Sequence, residues 1–88
     1  MRKWKWYVYI IECEDNTYYT GCSWNIPNRM DQHISKQGSR YTGKHGFKKL
    51  AFFEEHDNLE DARKREKQIK DWSQKKKRKL IMGEWKKE

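Results

Sequence analysis

The residues of this 88-residue chain whose types and spacing could do chemistry are its tyrosines, one arginine, one histidine and one misplaced glutamate. Tyr7 and Tyr9 stand in one apolar run, Tyr18 and Tyr19 in the next, and Arg29 and His33 follow four residues apart. A phenol with an imidazole and a guanidinium nearby is a plausible proton acceptor, because both neighbours favour phenolate. Arg29 adds a forked cation suited to bidentate contact with phosphate. Glu66 interrupts the apolar series Leu59, Ala62, Ile69 and Trp72. A lone buried charge costs on the order of several kcal/mol, so Glu66 must lie at the stripe's edge, meet a partner or hold a cation. Lys70, four residues on, is the simplest partner. Together these groups supply a base for water, a cation for developing phosphorane charge and a carboxylate for a divalent ion, the parts of metal-assisted phosphodiester hydrolysis.

Elements must hold these groups in place. The run 7–21, YVYIIECEDNTYYTG, is the densest β-branched and aromatic stretch and reads as a hairpin, with strands over Trp6 to Cys13 and Tyr18 to Ser23. Loop length decides what the hairpin can do. A two-residue Asp15-Asn16 loop pairs Tyr9 with Cys22 and Tyr19 with Glu12, which puts the two tyrosines on opposite faces. A three-residue loop or a bulge puts them on one face. A site that uses both rings therefore predicts an irregularity at Asp15 to Thr17.

Asn25-Ile26-Pro27 predicts a helix start, with Asn25 as cap and proline where its missing amide costs nothing. Ile26, Met30 and Ile34 are expected to form its buried stripe, Arg29 and His33 to stack on an adjacent face, and the helix to end near Lys36. Residues 37–46, QGSRYTGKHG, read as a mobile loop. Lys48 to His56 forms a third strand around Leu50-Ala51-Phe52-Phe53. Asp57-Asn58 caps a helix over about Leu59 to Ser73, and residues 74–85 give a short basic helix before a frayed Lys-Lys-Glu end. The trace is a single α/β domain (α+β in its segregation), with a three-stranded, mainly antiparallel sheet and the order ββαβα plus a short C-terminal helix; its core spans about residues 6–73.

The net charge of +8 makes a polyanion the expected partner, nucleic acid first. No run approaches the roughly 20 apolar residues of a membrane span, and the first residues lack a signal-peptide core, so the expectation is a soluble cytoplasmic monomer that binds no membrane. Cys13 and Cys22 are expected to be free thiols, too few for a disulfide framework and not spaced as a zinc clamp.

The ordered set Tyr7-Val8-Tyr9, Tyr19-Thr20-Gly21, Arg29, His33 and Glu66 resembles the GIY-YIG nuclease domain, and in particular its small stand-alone bacterial members. That resemblance covers about residues 6–72. It implies that Tyr9 and Tyr19 lie in an active site with one serving as general base, that Arg29 binds the scissile phosphate, that His33 hydrogen-bonds the reacting tyrosine, and that Glu66 is the single metal ligand. It also implies a close approach at Gly21, a single Mg²⁺ or Mn²⁺ ion, and endonucleolytic cleavage of DNA, one strand at a time, with DNA preferred to RNA. Tyr7 stands where the motif has glycine, Thr20 where it has isoleucine, and no asparagine follows Asn58 although many members carry one after the glutamate. Backbone contacts to nucleic acid are expected from Arg40, Lys44, His45, Lys48, Lys75 and Lys76. The alternative is a nucleic-acid-binding module that keeps the fold and lacks catalysis.

Overall fold

The computed structural model describes residues 4–83; the expectation of a frayed end lies outside them. Two strands, β1 (Trp6–Cys13) and β2 (Tyr18–Ser23), are followed by α1 (Ile26–Ile34) and α2 (Arg40–His45). Then come β3 (Phe47–His56), α3 (Leu59–Lys70) and α4 (Gln74–Ile81). The sheet order is β2-β1-β3 and both pairings are antiparallel, an α+β fold with the first strand in the middle.

The hairpin has the longer loop. Cys13 N–H donates to Thr17 O at 2.8 Å and Asn16 N–H to Cys13 O at 3.0 Å, so Glu14, Asp15 and Asn16 form the turn. Asn16 takes the left-handed conformation such loops require, at φ 70°. The Asp15 carboxylate accepts from Thr17 N–H at 3.2 Å and from Thr17 Oγ1 at 2.7 Å, which fixes the turn locally. The extra residue shifts the register so that Tyr9 faces Gly21 and Tyr19 faces Ile11. Tyr9, Ile11 and Tyr19 thus share one face.

Helices cover both faces. On one, Val8, Ile10, Ala62 and Ile69 are completely buried, and Trp6, Phe52, Trp72 and Leu80 pack against them under α3 and α4. On the other, Tyr9, Ile11, Cys13 and Met30 form a second core with Tyr19, Ile26, Tyr41 and Phe47 under α1 and α2. The β1–β3 register shifts twice, between Ile10 and Ile11 and between Glu12 and Cys13, and each shift leaves an extra residue on β3. At the outer edge of β2 the Gln74 amide brackets one residue, accepting from Tyr18 N–H at 2.6 Å and donating to Tyr18 O at 3.4 Å. That contact ties α4 to an edge strand otherwise open to pairing. Among the described residues no helix is long and apolar enough to cross a membrane. Both cysteines are free thiols.

Three local expectations are corrected. Residues 37–46 are not a loop throughout: Ser39 accepts from Thr42 N–H at 3.1 Å and caps α2, which closes at Gly46 with φ 85°. Tyr41 holds that short helix in place, stacked on His45 at 4.1 Å and on Tyr19 at 5.6 Å between centroids. In α1, which ends at Ile34, Ile34 is exposed and His33 takes its place in the core, because both ring nitrogens find partners there. Finally, α3 ends at Lys70, and Ser73 caps α4 instead of closing α3.

Candidate active site

Four elements meet at Gly21. Tyr9 reaches from the centre of β1 across this glycine, where a Cβ would come within 2.5 Å of the phenol Cζ. The side chain missing at Gly21 is what lets the ring through. From α1, Arg29 Nε donates to the Tyr9 oxygen at 3.2 Å, while His33 Nε2 lies 2.9 Å from it. On its far side, His33 Nδ1 is 2.7 Å from Thr42 Oγ1 of α2. Gly38 gives that ring its room, since a Cβ there would sit 2.5 Å from Nδ1.

The hydrogen-bond pattern assigns the protons. Tyr9 is fully buried and already accepts from Arg29, so its O–H is satisfied by donating to His33 Nε2. His33 then carries its own proton on Nδ1 and donates it to Thr42 Oγ1, whose hydroxyl turns to Ser39. Burial, reinforced by the Arg29 charge, lowers the His33 pKa to about 4, so the ring is neutral at pH 7. Burial also dominates at Tyr9 and raises its pKa to about 12, against the hydrogen bond and charge of Arg29 and with help from Tyr19 and Glu66. The expectation that both neighbours favour phenolate is therefore corrected: the resting group is a phenol whose proton points at a neutral imidazole.

Arg29 is held as firmly. Besides Tyr9 it donates from Nη1 to Gln32 Oε1 at 2.7 Å and from Nη2 to Gly38 O at 3.0 Å. Three of its five N–H groups are thus used and one remains on each Nη. Tyr19 continues a row of rings, with its centroid 5.6 Å from His33 and Lys70 Nζ 5.8 Å from its own. Glu66 comes from α3, on the other face of the sheet, half-buried and paired with Lys70 at 3.1 Å. Its charge reaches round the β2 edge to Tyr9 and to Cys22, whose thiol is pushed up first by burial and then by Glu66. Tyr9, Tyr19, Arg29 and His33 are therefore brought together on one face of the sheet, while Glu66 is linked to them through Lys70, which pairs with its carboxylate at 3.1 Å and lies 5.8 Å from the Tyr19 ring centroid.

The basic candidates are more scattered. Arg40 and Lys44 are exposed on α2, while His45, on the same helix, pairs with Asp15 of the hairpin turn. Lys48 pairs with Glu12 at 3.3 Å. On α4, Lys76 lies 4.5 Å over the Trp72 ring, and Lys75 lines a groove with Lys49 and Arg78 that shares no lining residue with the groove at Arg29. Sequence reasoning missed Gln32, Gly38 and Thr42. Only Thr42 left a trace, three residues after Ser39 at the spacing of a capped helix start.

Comparison with known proteins identifies the family. The GIY-YIG catalytic domain matches residues 5–79. A UPF0213 protein of Syntrophus aciditrophicus is 46% identical over 76 residues, 85% of this chain and 87% of that protein. Another, from Staphylococcus saprophyticus, is 40% identical over 77 residues, covering 88% and 94%. The solution NMR structure of a UPF0213 protein from Bacillus halodurans superposes with a TM-score of 0.56 at 34% identity, over 89% of this chain and 83% of that one. The family model spans most of the chain and the relatives align over nearly their whole length, so this chain belongs to the GIY-YIG domain family, alongside the UPF0213 proteins.

Proposed function

We propose that the protein is a divalent-metal-dependent endonuclease that hydrolyses DNA one strand at a time. The observation that carries this reading is the Tyr9 oxygen, held between the Arg29 Nε at 3.2 Å and the His33 Nε2 at 2.9 Å. Tyr9 takes the proton of the attacking water as its own proton passes to His33, so a neutral imidazole becomes imidazolium and no phenolate has to stand alone. The two unused N–H groups of Arg29 bind the scissile phosphate. A bound phosphate would offset the Arg29 charge that depresses His33, and so make the imidazole a better base when substrate is present. Tyr19 stands beside this group, its ring centroid 5.6 Å from that of His33.

Glu66 fits a metal ion in a limited way. Among the described residues no group of three or more His, Cys, Asp or Glu could hold one. A single half-buried carboxylate suits a hard ion such as Mg²⁺ or Mn²⁺, which commonly keeps several waters and completes its shell with substrate phosphate oxygens. When bound, that ion would offset the charge developing on the phosphate. Glu66 would hold it in place of its present partner Lys70. Arg40, Lys44 and Lys75 supply exposed charge for the DNA backbone, with His45, Lys48 and Lys76 at its margins.

Cleavage of single-stranded, duplex and branched DNA with Mg²⁺ and with Mn²⁺ tests this reading. Activity that disappears in Glu66→Ala and Tyr9→Phe supports it, and inertness on every substrate with both ions would sink it. One observation favours the second reading, a binding module without catalysis: the Glu66 carboxylate is already ion-paired to Lys70. In that case DNA binding falls steeply with salt and is indifferent to Glu66→Ala and Tyr19→Phe.

A further inference from the structure

Beside the cleft lies a feature that the phosphate chemistry does not use. Trp4 is 64% exposed and Trp24 47%, and the two indoles meet edge to face with centroids 5.0 Å apart. With Trp6 they line an apolar hollow of about 320 Å³. Trp6 and Trp24 also line a groove of about 230 Å³ whose other wall carries Asn28, Arg29 and Gln32. The two spaces share Trp6 and Trp24, so the aromatic hollow adjoins the groove that Arg29 helps to line.

Two large indoles left in water need an occupant. The occupant has to present a flat π-face to the indoles and an anion to Arg29, with polar edges for Asn28 and Gln32. A nucleotide does all three. We propose that an exposed indole face of the perpendicular Trp4–Trp24 pair, with the other ring as its side wall, forms a stacking platform for an unpaired nucleobase next to the phosphate at Arg29, so that the preferred ligand is DNA whose bases at the site are not in a duplex. Inside a duplex each base face is covered by its neighbours, and an indole can reach it only after the base is unstacked or flipped out. A second copy of the chain is the weaker occupant, because each copy carries +8 and the hollow adjoins a groove that a cation helps to line. This inference rests on Arg29 as the phosphate-binding residue.

Binding of labelled oligothymidylate and of a blunt duplex of equal length, measured by anisotropy in the presence of chelator, tests the platform without cleavage. Oligothymidylate is expected to bind more tightly than the duplex. Trp24→Ala should weaken it roughly 5- to 100-fold while Trp24→Phe keeps most of the affinity and duplex binding is unchanged. Trp4→Ala, at the more exposed indole, gives the same direction with little risk to folding. Unchanged oligothymidylate binding in both alanine variants would overturn the proposal. So would a dimer in sedimentation that both variants dissociate without affecting DNA binding. Because no metal is present, Trp24-dependent single-strand binding by a protein that never cleaves would uphold the platform and remove the nuclease reading.

Discussion

The two faces of β1 bury side chains of similar bulk and opposite character. Toward α3 and α4, Val8 and Ile10 meet Ala62 and Ile69, and none of these side chains carries a polar atom. Toward α1 and α2, Tyr9 is as completely buried as Ile10, yet its oxygen is bonded to Arg29 and His33, and His33 in turn to Thr42. The first face gains from area removed from water and tolerates changes of shape; the second gains little net from its hydrogen bonds and loses heavily when one partner goes. A small domain thereby separates two kinds of core, a wholly apolar one on one side of a central strand and one with a fixed hydrogen-bonded polar network on the other. Glu66 is the link between them, a residue of α3 on the apolar side whose partner Lys70 lies 5.8 Å from the Tyr19 ring centroid.

The sharpest break of that division is Tyr9→Phe. It should lower DNA cleavage roughly 100- to 10,000-fold, the range of a lost general base, measured as initial rate on the best substrate found. The same variant should lose only about 1–3 kcal/mol in urea unfolding, because two buried donor and acceptor groups are left without a partner. Ile69→Ala should do the reverse: it costs about 2–5 kcal/mol through a cavity in the apolar face and leaves the specific activity of the folded fraction unchanged. Loss of activity in that variant at full folding would show that the faces are not independent.

Mild acid probes the polar face through His33. The fold lowers the pKa of His33 from 6.5 to about 4, so between those values the unfolded chain binds more protons than the folded one. Stability should therefore decline as pH falls from about 6.5 toward 4, by about 3 kcal/mol at most from this group. Cleavage should fall in the same direction, since a protonated His33 cannot accept from Tyr9. A His33→Asn variant that keeps the full acid sensitivity of unfolding would assign the effect to another group. The smallest effect is expected on the apolar side, where Thr20 Oγ1 is buried without a partner among the described residues. Thr20→Val should stabilise the protein by about 1 kcal/mol, read from the midpoint of chemical unfolding.

Much of this was legible in the chain because it is written in local patterns. Alternating apolar residues set the strands, Asn25 and Asn58 mark helix starts by capping Asn28 and Asp61, and the four-residue spacing of Arg29 and His33 puts both on Tyr9. The residues expected to act together were also readable, through the motif they share with a known domain. Short local signals failed where long-range contacts decide. Residues 40–45 form a helix that propensity would not sustain with Gly43 inside it; Tyr41 stacking and the bond that Thr42 accepts from His33 hold it. His33 rather than Ile34 faces the core because a helix turns as a rigid body, and here both nitrogens of a buried ring can be satisfied.

What the sequence by itself determined was the inventory and its order: two tyrosine-bearing strands, a helix with a guanidinium and an imidazole one turn apart, and a carboxylate in a later helix. Only the tertiary structure decided which side of the sheet each tyrosine takes, since one residue more in the turn inverts the face of everything after it. It also decided the protonation states. Composition places a cation beside a phenol and suggests phenolate, but burial of Tyr9 outweighs the cation and leaves the proton on the ring, aimed at a neutral histidine. Desolvation depends on what every other element covers, and no local stretch of sequence carries that information.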